Sequence, residues 1–191
     1  MDVIISILGL IISFPILVVA YVIIRINSPG PVIIFQERIG KERVPFQLLK
    51  LRSMVDDSDE EVQNVMGSNP LQRSILKRPD DPRVTKVGKF IRRWSIDELP
   101  QLWNIISGEM SLVGPRPEET WIVELHYDEK SRRLTMKPGL TGPMQVSGRG
   151  ALDMEARKIL ELEYVDNYSI WKDIKILIKT IPAVISGNGA Y

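Results

Sequence analysis

The chain has 191 residues, with 25 lysines and arginines against 24 aspartates and glutamates, one histidine and no cysteine. That length gives room for one domain with a real core and not for two independent ones. The lack of cysteine excludes a disulfide scaffold and thiolate metal sites and fits a reducing compartment, and a lone His126 makes a zinc site a poor expectation. The net charge of +1 conceals blocks: residues 25–54 carry six basic and two acidic side chains, 73–93 carry eight and two, and DDSDEE at 56–61 is nearly all acid. Such blocks are usually solvated surface, but basic segments around carboxylates also suit an anionic substrate.

The first element is VIISILGLIISFPILVVAYVII, residues 3–24, which holds no charge over 22 positions. As a helix it would be about 33 Å long, enough to cross a hydrocarbon core of about 30 Å. No basic n-region or A-x-A-like site marks it for removal, so it reads as a retained membrane segment. Ser13-Phe14-Pro15 predicts a kink near its midpoint, because proline deletes a backbone hydrogen bond and clashes with the preceding turn, while Ser13 can satisfy a freed carbonyl. Two arrangements follow: a kinked spanning helix, or two arms that enter and leave by one face. The end charges, Asp2 and Arg25, are too few for the positive-inside rule to choose. Both arrangements hold the rest of the chain against lipid.

After the turn-rich NSPGP, VIIFQE and FQLLKLRSM predict a β-hairpin around Gly40, with Arg38, Lys41, Arg43, Lys50 and Arg52 at one edge or the turn. The acidic stretch and GSNPLQ read as a surface connection. DPRVTKVGKFIRRW has Val84, Val87 and Ile91 at helical spacing; PQLWNIIS repeats the pattern with Leu99, Leu102, Trp103 and Ile106 and stops at Gly108. SLVGPRPEE is expected as a tight loop and EETWIVELHYDEKS as a helix. MKPGLTGPMQVSGRG has too many Gly and Pro residues for a helix and is expected as loop and short strand. Two helices close the chain, over 153–167 and over IWKDIKILIKTIPAVIS. The last places Trp171, Ile174, Leu177 and Ile178 on one side, so it either lies in a membrane interface or packs on the core. The sum is an α+β fold, predominantly helical.

The stretch SIDELPQLWN carries the chemistry. Ser95 and Glu98 have the form of a capping box, but Pro100 would then fall inside the first turns of the helix, where it opposes regular structure. A helix beginning at Pro100 is easier, and it leaves Asp97 and Glu98 on the approach. Adjacent carboxylates in a turn point different ways and suit two jobs: one to attack, the other to hold a metal. Arg92 and Arg93 precede them, and Arg116 is fixed between Pro115 and Pro117. Arginine forks match phosphate oxygens, and a carboxylate with Mg²⁺ is a usual way to hold a diphosphate. A membrane anchor, a cationic surround and a carboxylate pair together suggest phosphate chemistry on a lipid-borne substrate.

RRWSIDELPQLWNIISGEMSLVGPRP, with KPGLTGPMQVSGRG and FQERIGKERVPFQLLKLRSM, resembles the bacterial sugar transferases, the monotopic phosphoglycosyl transferases. The resemblance implies a re-entrant membrane helix over 1–26, kinked at Ser13–Pro15 with both ends cytoplasmic. A cytosolic catalytic domain with interfacial amphipathic helices would then fill 27–191, on the cytoplasmic face of the bacterial inner membrane. Members usually carry basic residues or a larger membrane domain before this segment, where here only Met1 and Asp2 stand. The implied substrates are a UDP-sugar, UDP-glucose or UDP-galactose by preference, and undecaprenyl phosphate, with membrane phospholipid as surroundings and no nucleic acid. Asp97 would be the nucleophile, forming a covalent phosphosugar intermediate with release of UMP, and Glu98 would ligate Mg²⁺. Arg92 and Arg116 match positions around the phosphates and Arg149 one suited to the nucleotide. Lys50 and Arg38 are further substrate-binding candidates, weighed evenly against surface solvation. Asp173 is expected to pair with a cation. The alternatives are a membrane glycosyltransferase releasing UDP and a non-catalytic membrane scaffold touching anionic headgroups. A two-carboxylate glycosidase is disfavoured, since its carboxyl groups face each other across about 5 to 9.5 Å.

Overall fold

The computed structural model of the protein describes residues 1–55, 81, 83–128, 131–187 and 189. The acidic stretch at 56–61 and the connection through GSNPLQ lie outside the described residues, as do positions 188, 190 and 191 of the C-terminal SGNGAY. The described chain is mostly helical with two small sheets, in keeping with the α+β expectation.

Helix α1 (Asp2–Asn27) runs through Pro15 as one helical element, and Ser13 Oγ donates to Leu10 O at 3.4 Å. Its buried residues are Ser6, Ser13, Ala20 and Ile24, seven or four apart, so one stripe faces the body along the whole helix while Ile4, Ile12, Phe14 and Ile26 stay exposed. Small side chains on that stripe let helix and body approach closely; a Cβ on Gly9 would lie 3.2 Å from Leu102 Cδ1. Asp2 Oδ2 accepts from Ser111 Oγ at 2.5 Å at one end, and at the other Ala20 and Ile24 pack with Val32, Leu51 and Ile91.

Strands β1 (Ile33–Ile39) and β2 (Pro45–Leu51) form the expected antiparallel hairpin, joined by a 3₁₀ turn over Lys41–Arg43. The register sets Ile34, Gln36 and Arg38 opposite Lys50, Leu48 and Phe46 on one face. Phe46 and Leu48 sink into the main core with Leu102, Ile105, Met110 and Tyr164. The open edge of β2 is closed by one side chain: the Asn104 amide accepts from Leu49 N–H at 3.0 Å and donates to Gln47 O at 2.7 Å, as a neighbouring strand would.

Helix α2 (Lys86–Arg93) is capped by Thr85, whose Oγ1 accepts from Gly88 N–H at 2.8 Å; Val84, expected within it, instead bridges to Met54. Helix α3 (Gln101–Ile106) follows Pro100 and ends before Gly108, at φ +88, as its sequence predicts. The segment expected as loop contains β3 (Ser111–Val113), which pairs in parallel with β4 (Gly139–Thr141). Three residues are too few to show a period of two. Helix α4 (Thr120–His126) is shorter than expected.

The Gly- and Pro-rich segment holds a helix after all, α5 (Pro143–Ser147), with proline at its first position and Gly148 (φ +148) at its end. The breaker residues mark the limits of the helix and not its interior. Helices α6 (Met154–Asp166) and α7 (Ile170–Ser186) close the chain. α7 turns Ile176 into the core, with Leu177 packed against it, but leaves Trp171, Ile178, Ile181 and Ile185 exposed, so the side that the spacing groups is divided between the core and the outer surface. Trp103 on α3 is likewise exposed, while Ile105 is buried in its place. Among the described residues Asp173 pairs with no cation. Its carboxylate accepts from Tyr164 Oη–H at 2.6 Å.

Candidate active site

The carboxylate pair is placed by a sharp reversal at the end of α2. Ser95 adopts the left-handed region (φ 54, ψ 25), its side chain caps nothing, and a single 3₁₀ turn over Ile96–Glu98 leads into Pro100 and α3. The capping box is therefore absent, as the position of Pro100 requires. A non-glycine residue at positive φ two positions before Asp97 is the kind of local constraint that gathers at functional sites.

Asp97 is 2% exposed, and Oδ2 lies 2.9 Å from Lys50 Nζ on β2. Burial pushes its carboxyl above the usual range; the Lys50 ammonium opposes this, Glu98 adds to it and Arg92 opposes it. Lys50 is thus not a solvated surface lysine. Glu98 turns the other way, and Oε1 lies 3.7 Å from Arg116 Nη1. The two neighbours thus approach different cations, Lys50 and Arg116, while both line one cavity.

Arg116 reaches the site from the loop after β3. Around it Gly114, Gly139 and Gly142 bring backbones so close that a Cβ on Gly142 would lie 2.0 Å from Gly114 O. Gly114 N–H donates to Thr141 O and Gly139 N–H to Pro115 O, which fixes the loop on β4. Arg149, also left-handed (φ 51), donates from Nη2 to Ser95 Oγ at 3.4 Å, and burial holds its pKa low. Burial lowers Arg92 as well, against the raising influence of Asp97, Asp81 and Glu98. Arg38 pairs through Nη1 with Glu119 at 2.8 Å and donates from Nη2 to Gln36 at 3.0 Å; burial brings it down to about 10, with Arg116 adding to the effect.

Two cavities of about 330 and 340 Å³ flank this group and share Lys50, Arg92, Glu98, Arg116 and Leu140. Asp97 and Arg149 line the first, whose remaining wall includes Leu112, Met144, Leu177 and Val184. Arg38, Arg52 and Arg83 line the second. Every site residue singled out from sequence therefore lines one cavity or both.

Several residues of the neighbourhood are not among the site candidates that the sequence offers. Arg52 is buried and donates from Nη2 to Ser28 O at 2.7 Å and to Ser28 Oγ at 3.0 Å. Arg157 donates from Nε to Leu152 O and lines the first cavity. Arg133 and Glu161 form a buried pair behind Arg116. The pattern ILELEYV alternates acid and leucine, so nothing local tells which of Glu161 and Glu163 faces inward. His126 lies on α4, outside the linings of both cavities.

Cations crowded round a buried carboxylate, one oxygen of which is engaged by a lysine, give this cavity the charge to receive an anion. The chain belongs to the bacterial sugar transferase family, whose pattern matches residues 1–187. It is 40% identical over its whole length to the undecaprenyl-phosphate galactose phosphotransferase of Salmonella typhimurium, of which it spans 40%. It is 41% identical over its whole length to the exopolysaccharide production protein ExoY of Sinorhizobium fredii, of which it spans 86%. To the UDP-glucose:undecaprenyl-phosphate glucose-1-phosphate transferase of Caulobacter vibrioides it is 40% identical, over 93% of this chain and 65% of that one.

Proposed function

We propose that this chain transfers a sugar-1-phosphate from a UDP-sugar to a polyprenol phosphate of the undecaprenyl type, releasing UMP. The observation that carries the reading is the placement of Asp97: buried, paired with Lys50 through one oxygen, and opening into a cavity walled by Arg92, Arg116 and Arg149. The names of relatives described as transferring to undecaprenyl phosphate support this substrate class.

In the first half-reaction an Asp97 carboxylate oxygen forms a bond to the β-phosphorus of the donor. The bond from that phosphorus to the bridging oxygen breaks, and UMP leaves with the electron pair. In the second, a phosphate oxygen of the acceptor bonds to the same phosphorus and Asp97 is released as carboxylate. Neither nucleophile has to lose a proton, which accounts for a site with no histidine lining its cavities. The Lys50 ammonium favours the ionised form of Asp97 and so opposes the larger effect of burial, which raises its pKa. Arg92 and Arg116 hold phosphate oxygens in this reading, and Arg149, tied to Ser95, would meet the nucleotide. Mg²⁺ is commonly held by one or two carboxylates together with substrate phosphates, and Glu98 on the shared wall fits that donor set. The ion would neutralise charge on the diphosphate.

α1 supports a monotopic, re-entrant attachment with both ends on the cytoplasmic face of the bacterial inner membrane. A helix of this length is about 39 Å long. Its body-facing stripe meets the folded body near Asp2 and near Ile24, and these contacts favour an attachment that keeps both ends on the side of the body. The exposed apolar residues of α7 and Trp103 suit the surrounding phospholipid interface.

The test is to add Mg²⁺, undecaprenyl phosphate and a panel of UDP-sugars to purified protein in detergent or lipid. Release of UMP, and a phosphohexose adduct on the intact protein when the acceptor is withheld, is the expected result. Release of UDP instead would refute the reading, as would turnover with no adduct under any donor.

A further inference from the structure

The geometry points to the Arg133–Glu161 pair as a positioning device for Arg116, acting on the donor diphosphate through that residue's main chain. Glu161, on α6, is 1% exposed; Arg133, in the 3₁₀ turn Arg132–Thr135, is 2% exposed. Arg133 Nε donates to Glu161 Oε2 at 2.5 Å. The two remaining arms of the pair both close on residue 116: Glu161 Oε1 accepts from Arg116 N–H at 2.7 Å, and Arg133 Nη2 donates to Arg116 O.

The target is specific. In Pro115-Arg116-Pro117 the flanking prolines have no N–H, so Arg116 supplies the only amide donor of the tripeptide, and Glu161 takes it. With Pro115 O already bonded to Gly139 N–H, the main chain that carries the guanidinium is gripped from two sides. The ring of Tyr127, 4.7 Å from the Arg133 guanidinium carbon, backs the pair, and Glu118 stands 4.0 Å from Nη2.

Stability gives a weak reason for such a pair. Two buried charges are expensive to desolvate, and well-packed apolar replacements are often as stable. Geometry gives a stronger one, because arginine recognition of a diphosphate depends on where the guanidinium is held. A misplacement of about 1 Å at a reacting centre can cost about a hundredfold.

The experiment is a mutant cycle on the full chain, with the kinetic arm resting on the function proposed above. Arg133→Met combined with Glu161→Leu replaces both charges at similar volume, and Arg116→Ala removes the guanidinium. The double replacement should keep a cooperative thermal transition, while the KM for the UDP-sugar rises about tenfold and kcat/KM for UMP release falls about a hundredfold. Adding Arg116→Ala to it should cost nothing further, although Arg116→Ala is costly in the parent. A folded double replacement with parental kcat/KM overturns the proposal, and so do losses that multiply.

Should the double replacement fail to fold, Glu161→Gln keeps the acceptor toward Arg116 N–H while weakening the hold on Arg133, and the same cycle decides. Amide exchange supplies a readout independent of turnover. The Arg116 N–H, bonded to buried Glu161, should exchange slowly in the parent and much faster in the double replacement or, failing that, in Glu161→Ala; equal rates overturn the clamp. A parent that releases no UMP would sink the proposed function and leave the exchange arm standing.

Discussion

Two ion pairs of the described residues, Arg133–Glu161 and Lys50–Asp97, differ in what they leave unfinished. Arg133 and Glu161 bond to each other and to both main-chain groups of Arg116, buried from solvent. Lys50 and Asp97 meet through one oxygen at the wall of a cavity, with burial and cations pulling the carboxylate in opposite directions. A closed pair fixes geometry. A pair left open toward a cavity holds a charge ready to be used, so the same interaction serves position in one place and reactivity in the other.

The largest expected effect breaks the open pair at its carboxylate. Asp97→Asn keeps the shape but removes the nucleophile, so UMP release should fall by at least about a thousandfold and the covalent adduct should vanish from the mass spectrum. A loss of only a few-fold would mean that Asp97 does not bond to phosphorus. The closed pair should respond in stability first. Glu161→Ala strands the Arg133 charge, and the protein should lose about 3–5 kcal/mol of unfolding free energy in denaturant titration.

Lys50→Met comes next and tests whether the open pair is poised. Burial raises the pKa of Asp97 and Lys50 lowers it, so loss of Lys50 moves the folded-state value further up. The reactive form is the carboxylate, which is lost as pH falls through that value. The acid limb of the kcat/KM profile should therefore shift to higher pH, with about a ten- to hundredfold loss near neutrality that shrinks as pH rises. A loss that is uniform across pH would assign Lys50 to substrate binding alone.

What could be read without the structure divides along the same line. Elements with a period came through: the apolar helix, the hairpin, the helix after Pro100, and α7. The dyad and Arg116 were legible because prolines fix their local backbone. Lys50 and Arg38 were ambiguous, since a lysine and an arginine on a strand say nothing of which face meets a cavity until the register sets Lys50 opposite Ile34 and Arg38 opposite Phe46. Arg133 and Glu161 were illegible for a stronger reason. Their partner is the main chain of residue 116, 17 and 45 positions away, and a main-chain contact leaves no side-chain pattern at either end. The parallel pairing of β3 and β4 was hidden likewise, being set by close approach of glycines and not by alternation.

The smallest effect sharpens the contrast, and it comes from the residue next door. Arg132 pairs with Asp166 at 2.7 Å, but its side chain is 64% exposed, whereas Arg133 beside it is sealed. Water screens the outer pair, and holding two flexible side chains together offsets much of the attraction. Arg132→Ala should therefore lower stability by less than about 1 kcal/mol, with the difference fading as salt is raised. The KM for the donor should not change. If Arg132→Ala raised that KM as the Arg133 and Glu161 replacements are expected to, the effect would belong to the positive charge of the turn as a whole. The directed contacts on Arg116 would then not be its cause.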